Sequence, residues 1–210
     1  MFKQSASGLV NGGVLPPTTT AINQQVLSPD GKSLVLAQQG LALLGEQIVP
    51  AGSALASVAF TTGIDGTYSQ YWVEFDGVVP SVAGPLEALL IAGGVAQSTG
   101  YLQHMATQVA SAASYVGVIP TSYILCAQSV GIGSSDTASG LLTLFNPATT
   151  GKVKDFLVEA TASSSAGTVM TSTSGSGCWV SNAPTTGVQF QMSSGYITAG
   201  NFRLYGVRNQ

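Results

Sequence analysis

From residue 54 onward the chain runs in short stretches of two-residue alternation, cut by Gly, Ser, Asp and Pro, and this restricts its fold more tightly than any other feature. In Gln70-Tyr71-Trp72-Val73-Glu74-Phe75-Asp76, Tyr71, Val73 and Phe75 fall on one side and Trp72, Glu74 and Asp76 on the other. Gly187-Val188-Gln189-Phe190-Gln191-Met192 repeats the pattern, with Val188, Phe190 and Met192 together. Successive side chains of a strand point to opposite faces, so this period predicts strands half buried on a core. Residues 54–60, 86–92, 122–130, 140–145, 153–161, 178–181 and 201–207 are further candidates. Asp65-Gly66 and Asp76-Gly77 are turn dipeptides that tolerate positive φ, and Asn146-Pro147 closes the run before it. Roughly ten short strands at turn-punctuated intervals predict an all-β chain, an antiparallel β-sandwich or jelly roll.

Residues 101–116 read two ways. Met105, Val109, Ala113 and Val116 would make a helical stripe, while Tyr101, Met105 and Val109 also alternate against Leu102, His104 and Ala106. Frequent Ser and Thr and the lack of a helix cap favour strand plus loop. Ser163-Ser164-Ser165-Ala166-Gly167 and Ser172-Thr173-Ser174-Gly175-Ser176-Gly177 read as loops at hairpin tips.

Residues 1–50 differ in texture. Gly12-Gly13, Pro16-Pro17, Thr18-Thr19-Thr20 and Ser28-Pro29-Asp30-Gly31 interrupt regular structure, and only small apolar patches lie between them, at Leu34-Val35-Leu36 and Leu41-Ala42-Leu43-Leu44. The expected organisation is an extended N-terminal attachment arm over 1–50 and a β-sandwich domain over 51–210; the alternative for the first segment is a loose leader with a first strand near 33–37.

Charge then narrows the function. Six Lys and Arg and nine Asp and Glu make up only 7% of 210 residues, against about 25% in an ordinary soluble domain. Asp136 is the single charge between residues 88 and 151. A surface this poor in mutual repulsion is expected to rest against copies of itself, as a trimer or symmetric ring. Lys152 and Lys154 are the only close basic pair, so phosphate-backbone binding is excluded. No apolar run approaches the ~20 residues of a membrane helix, and no secretory leader is expected.

Catalytic constellations are thin. His104 is the sole imidazole and has no nucleophile elbow to serve; Ser176 between two glycines reads as loop composition. Glu74 and Asp76 share one strand face about 7 Å apart, which suits a glycoside-cleaving pair but also a solvated face. Gly131-Ile132-Gly133-Ser134-Ser135-Asp136 begins like a phosphate loop, lacks its third glycine and reads as a turn. Cys126 and Cys178 are expected as small buried thiols, bridged only if the fold joins their strands. With one His and two Cys, no metal site or cofactor is expected. Trp72 and Trp179 are the candidates for stacking on a sugar ring.

Three segments together resemble structural proteins of tailed bacteriophages: Tyr68 to Pro80, with its Tyr-rich start and terminal Pro; Gly140-Leu141-Leu142-Thr143-Leu144-Phe145-Asn146-Pro147; and Ser194 to Val207, with its Ser-Gly, Ile, Gly and Arg-Leu-Tyr-Gly ending. The resemblance spans roughly residues 55–207; residues 88–130 depart from it, and residues 1–50 match nothing in it. It implies a non-enzymatic virion component of tail-fibre or appendage type, assembled in the bacterial cytoplasm, contacting other virion proteins and using no cofactor. Capsid decoration and host-glycan binding are the alternatives. In the last motif Phe202 and Leu204 are expected to face inward, and Arg203 to tie the final strand to Glu159 or Asp155.

Overall fold

The computed structural model describes residues 24–27, 34–37, 40–109 and 112–207. Among these lie fifteen strands: β1 (Gln24–Leu27), β2 (Leu34–Ala37), β3 (Leu41–Val49), β4 (Val58–Phe60), β5 (Gln70–Pro80), β6 (Gly84–Ala92), β7 (Val95–Ala96), β8 (Tyr101–Val109), β9 (Ala112–Thr121), β10 (Ile124–Val130), β11 (Ala138–Phe145), β12 (Lys154–Ser164), β13 (Val169–Trp179), β14 (Gly187–Met192) and β15 (Ile197–Val207). The chain divides into two units, Met1–Gly40 and Leu41–Gln210. In the first, β1 and β2 pair antiparallel from Gln24↔Ala37 to Leu27↔Leu34; most of the arm expected over 1–50 lies outside the described residues. The second begins ten residues before the expected boundary at 51, because Leu41–Val49 is a strand of the body. Its Val49 is buried and Leu44 packs on the core, so the apolar patch at 41–44 belongs to the sandwich.

The body is an antiparallel β-sandwich. The large sheet has eight strands in the order β3-β15-β5-β11-β12-β13-β8-β9, and the small sheet has β10-β6-β14-β4 with β7 beside β6. The segments that carried the phage resemblance supply β15, β5 and β11, three neighbours in the large sheet. The inward residues of β5, Tyr71, Val73 and Phe75, are fully buried, as are Phe202 and Leu204 of β15. Phe190 of the small sheet closes on Phe75 (5.9 Å between ring centres) and Phe202 (5.2 Å), joining the layers at the core. Residues 101–109 and 112–121 pair as the β8–β9 hairpin, so the ambiguous stretch is strand.

One sequence reading fails instructively. Ser172–Gly177 is no hairpin tip; it is the middle of β13, paired with both β12 and β8. It alternates in burial without alternating in polarity. Thr171, Thr173, Gly175, Gly177 and Trp179 face inward, and the serines face out. A Cβ on Gly177 would stand 2.3 Å from the Leu102 carbonyl oxygen and 2.5 Å from the Phe156 ring, so the glycines are needed for close approach. The true tip is Ser165–Gly167, and the short strand expected at 178–181 is only the end of β13.

Polar side chains stitch the sheets where β10 is irregular. Its pairing with β6 shifts register twice, between Leu125 and Ala127 and again before Val130, which leaves backbone donors off the ladder. Leu125 N–H donates to buried Gln103 Oε1 (3.0 Å), and Gln128 N–H to buried Thr173 Oγ1 (3.0 Å), both from the large sheet. Leu90 N–H donates to the Tyr101 hydroxyl (2.8 Å), which donates on to the Gln97 carbonyl (2.9 Å). Burial pushes that phenol up to about 12, against the opposing pull of the Leu90 hydrogen bond.

The predicted turns divide. Asp65-Gly66 is a turn, with the Asp65, Gly66 and Tyr68 amides converging on the Tyr71 hydroxyl. Asp76-Gly77 has the expected positive φ (+60°) at Gly77 but forms a bulge inside β5, opposite Ser139. Asp136 fixes the Ser165–Gly167 tip: its carboxylate accepts from Gly133 (2.8 Å), Gly167 (2.7 Å) and Ala166 (3.2 Å) amides. Ser165 and Ala166 both have positive φ there (55° and 56°), a conformation costly for non-glycine residues.

Candidate functional site

The outward face of the large sheet gathers most of the chain's unusual surface chemistry, and its registers order that chemistry in rows. One row reads Leu43, Tyr205, Trp72, Thr143, Leu157, Ser176, His104 from β3 to β8. The adjacent row reads Leu41, Val207, Gln70, Phe145, Asp155, Cys178, Leu102. On the other side lie Glu46, Arg203, Glu74, Leu141, Glu159, Ser174, Ala106, and beyond them Asp76, Ser139, Thr161 and Ser172. One end of the strands thus presents apolar and aromatic groups, and the other carboxylates and hydroxyls. Residues far apart in sequence meet only through pairing, and the banding is invisible along any single strand.

Two depressions lie on this face. The first, about 490 Å³, is an apolar groove over β8, β13 and β12 lined by Leu102, Phe145, Phe156, Leu157 and Cys178, with His104, Asp155 and Ser176 at its side. Phe145 and Leu157 remain 37% and 38% exposed. The second, about 500 Å³, is a trough over β15, β5, β11 and β12 lined by Trp72, Tyr205, Leu141, Glu74, Asp76, Ser139 and Glu159. Within it the Ser139 hydroxyl donates to Asp76 Oδ1 (2.8 Å), and the Tyr205 hydroxyl reaches Glu74 Oε2 (3.4 Å). Burial first, then the Glu74 charge, holds the Tyr205 phenol above its ordinary value. The Trp72 indole N–H is buried without an acceptor among the described residues.

Arg203 does not reach Glu159 or Asp155. β15 lies between β3 and β5, so Arg203 Nε meets Glu46 Oε1 at 2.8 Å and its Nη1 meets Glu74 Oε2 at 3.5 Å. Glu159 and Asp155 stand beyond β11. The Glu46 hydrogen bond, with both carboxylates' charge, raises the guanidinium still further. The Lys152–Lys154 pair is split: Lys152 is exposed, whereas Lys154 is buried and donates to the Lys152 carbonyl.

Of the two tryptophans, only Trp72 faces the trough. Trp179 is a core residue, 4% exposed, beside Tyr101, with its indole N–H on the Thr99 carbonyl (2.9 Å), so it has no ring face to offer a sugar. Glu74 and Asp76 share a face as expected. His104 and Ser176 are directly opposed on β8 and β13, a meeting the sequence did not foretell, yet among the described residues no side-chain hydrogen bond joins them. Cys178 stands opposite Asp155, and burial, then that charge, raises its thiol, the reverse of what a nucleophile needs. Cys126 is a buried free thiol of β10, on the other sheet from Cys178, and burial drives it strongly upward. Among the described residues no cluster of His, Cys, Asp and Glu is arranged to hold a metal. Sequence reasoning missed Phe145, Leu157 and Ser139 as surface partners, because each acquires its role from a neighbouring strand.

Comparison with family models, with curated proteins and with solved structures found no match to this chain.

Proposed function

We propose that the chain is a non-enzymatic structural subunit of a bacteriophage particle, of tail-fibre, tail-tip or appendage type, that assembles with copies of itself into a trimer or ring. The observation that carries this reading is the apolar groove on the large sheet. Phe145 and Leu157 of this groove are 37% and 38% exposed, although the body has ample core to bury apolar groups. Exposed apolar surface gathered in one place marks a contact site. The sparse charge supports the same reading, since little on this surface repels a second copy. The phage assignment itself rests on the three sequence segments that form β15, β5 and β11.

Sedimentation velocity on the full chain tests the assembly. The expected result is a discrete oligomer that Leu157→Lys reduces to a monomer that still unfolds cooperatively, because Leu157 is an outward residue. A native chain that stays monomeric at high concentration overturns the reading. Imaging particles with the chain labelled distinguishes tail from capsid decoration.

A further inference from the structure

We propose that the Trp72 trough is the socket for Lys152 of the partner subunit, so that neighbouring copies join head to tail. This rests on the self-assembly reading above and adds to it a named contact.

The trough is built for a cation. Glu74 and Asp76 of β5 and Glu159 of β12 line it from either side of β11, and Trp72 and Tyr205 add aromatic rings beside them. Arg203 lies at one flank and is occupied by Glu46 and Glu74. Asp76 is held by a neutral hydroxyl, so the carboxylates exceed the positive charge available. An ammonium placed among carboxylates and over an indole gains from both. A sugar ring would use the indole and leave the excess negative charge uncompensated.

Charge complementarity identifies the occupant. Among the described residues Lys152 is the one exposed cation without a carboxylate partner, since Arg203 is paired and Lys154 is buried. It sits in the β11–β12 loop beside Val153, which is 44% exposed. It cannot serve its own trough. The strand from Lys154 to Glu159 alone covers about 16 Å, further than a lysine side chain extends. A loop-to-trough contact that is not reciprocated between the same two copies is heterologous, and such a contact closes into a ring or runs on as a filament. A ring or trimer follows where the rotation closes.

Charge reversal on the full chain tests the pairing. Lys152→Glu and Glu159→Lys, both at exposed positions, should each weaken assembly by about tenfold or more in sedimentation velocity, while the double variant recovers most of the native affinity. Far-ultraviolet circular dichroism and the thermal midpoint verify that each variant is folded. If the native chain assembles and the single variants assemble equally well, or the double variant recovers nothing, this pairing is overturned and the self-assembly reading stands. If neutral hexose oligosaccharides change Trp72 fluorescence while Lys152→Glu assembles normally, the trough is a sugar site and the pairing is likewise overturned. A native chain that never assembles removes both.

Discussion

Asp136 shows how much one side chain decides. It is the lone charge in a long neutral stretch, and it is buried because three backbone amides need an acceptor there. Burial works to raise its carboxyl, but the Gly133, Gly167 and Ala166 amides outweigh it and hold the group below its ordinary range. Asp65 is lowered too, chiefly by the Thr67 amide. A carboxyl whose folded pKa is depressed adds stability that is present above the unfolded pKa and lost as pH falls through the folded one. Unfolding free energy should therefore fall below about pH 4, and Asp136→Asn should flatten that fall while lowering stability at neutral pH, as read by urea titration across pH. Glu87 acts in the opposite sense. Burial raises it, with the Gln191 amide opposing, so its contribution declines as pH rises above its ordinary value. Thr173 gives a sharper single-residue test. Thr173→Val keeps the shape and leaves the Gln128 N–H without its acceptor, and should cost about 1–3 kcal/mol in denaturant unfolding.

At the scale of elements, β13 carries the lesson. A Ser-, Thr- and Gly-rich segment reads as loop on composition, yet it is an interior strand of the large sheet, between β12 and β8, because its glycines let neighbours press close. Gly177→Ala should destabilise by about 1–3 kcal/mol through overpacking against the Leu102 carbonyl and the Phe156 ring; Ser176→Ala, facing outward next to it, should change stability by no more than about 0.5 kcal/mol. Thermal and urea melts of the pair separate the readings, and equal effects would contradict the close approach. The bulge at Gly77 and the two shifts in β10 belong to the same class: each breaks a ladder locally, and each is answered by a side chain from another strand.

For the whole molecule, stability rests on the layer between the sheets. Phe190 touches aromatic rings of both β5 and β15, so Phe190→Ala should cost about 3–5 kcal/mol and move the entire transition rather than a part of it. The surface proposed for assembly lies on the opposite side of the large sheet. There, pairing assembles an apolar end and a carboxylate end from strands that are each unremarkable in isolation. A face divided this way offers a second copy both contact area and orientation. Leu157→Lys is expected to weaken the proposed association and leave a folded monomer, whereas Phe190→Ala is expected to weaken the fold itself. That contrast checks that the two faces have separate duties.

The strand content, the antiparallel sandwich and the inward sets of β5, β14 and β15 could be read directly from the chain. They follow from a local rule: alternate side chains face alternate sides, and the apolar set goes to the core. Trp72, Glu74 and Asp76 sharing an outward face came from the same rule. What tertiary structure alone decided is which strands are neighbours. That choice gave Arg203 to Glu46 and Glu74, buried Trp179 beside Tyr101, made Ser172–Gly177 a strand, and set Glu159 across from Trp72 and Glu74. Strand order depends on packing energies summed over two whole sheets, and two-residue periodicity carries no record of it.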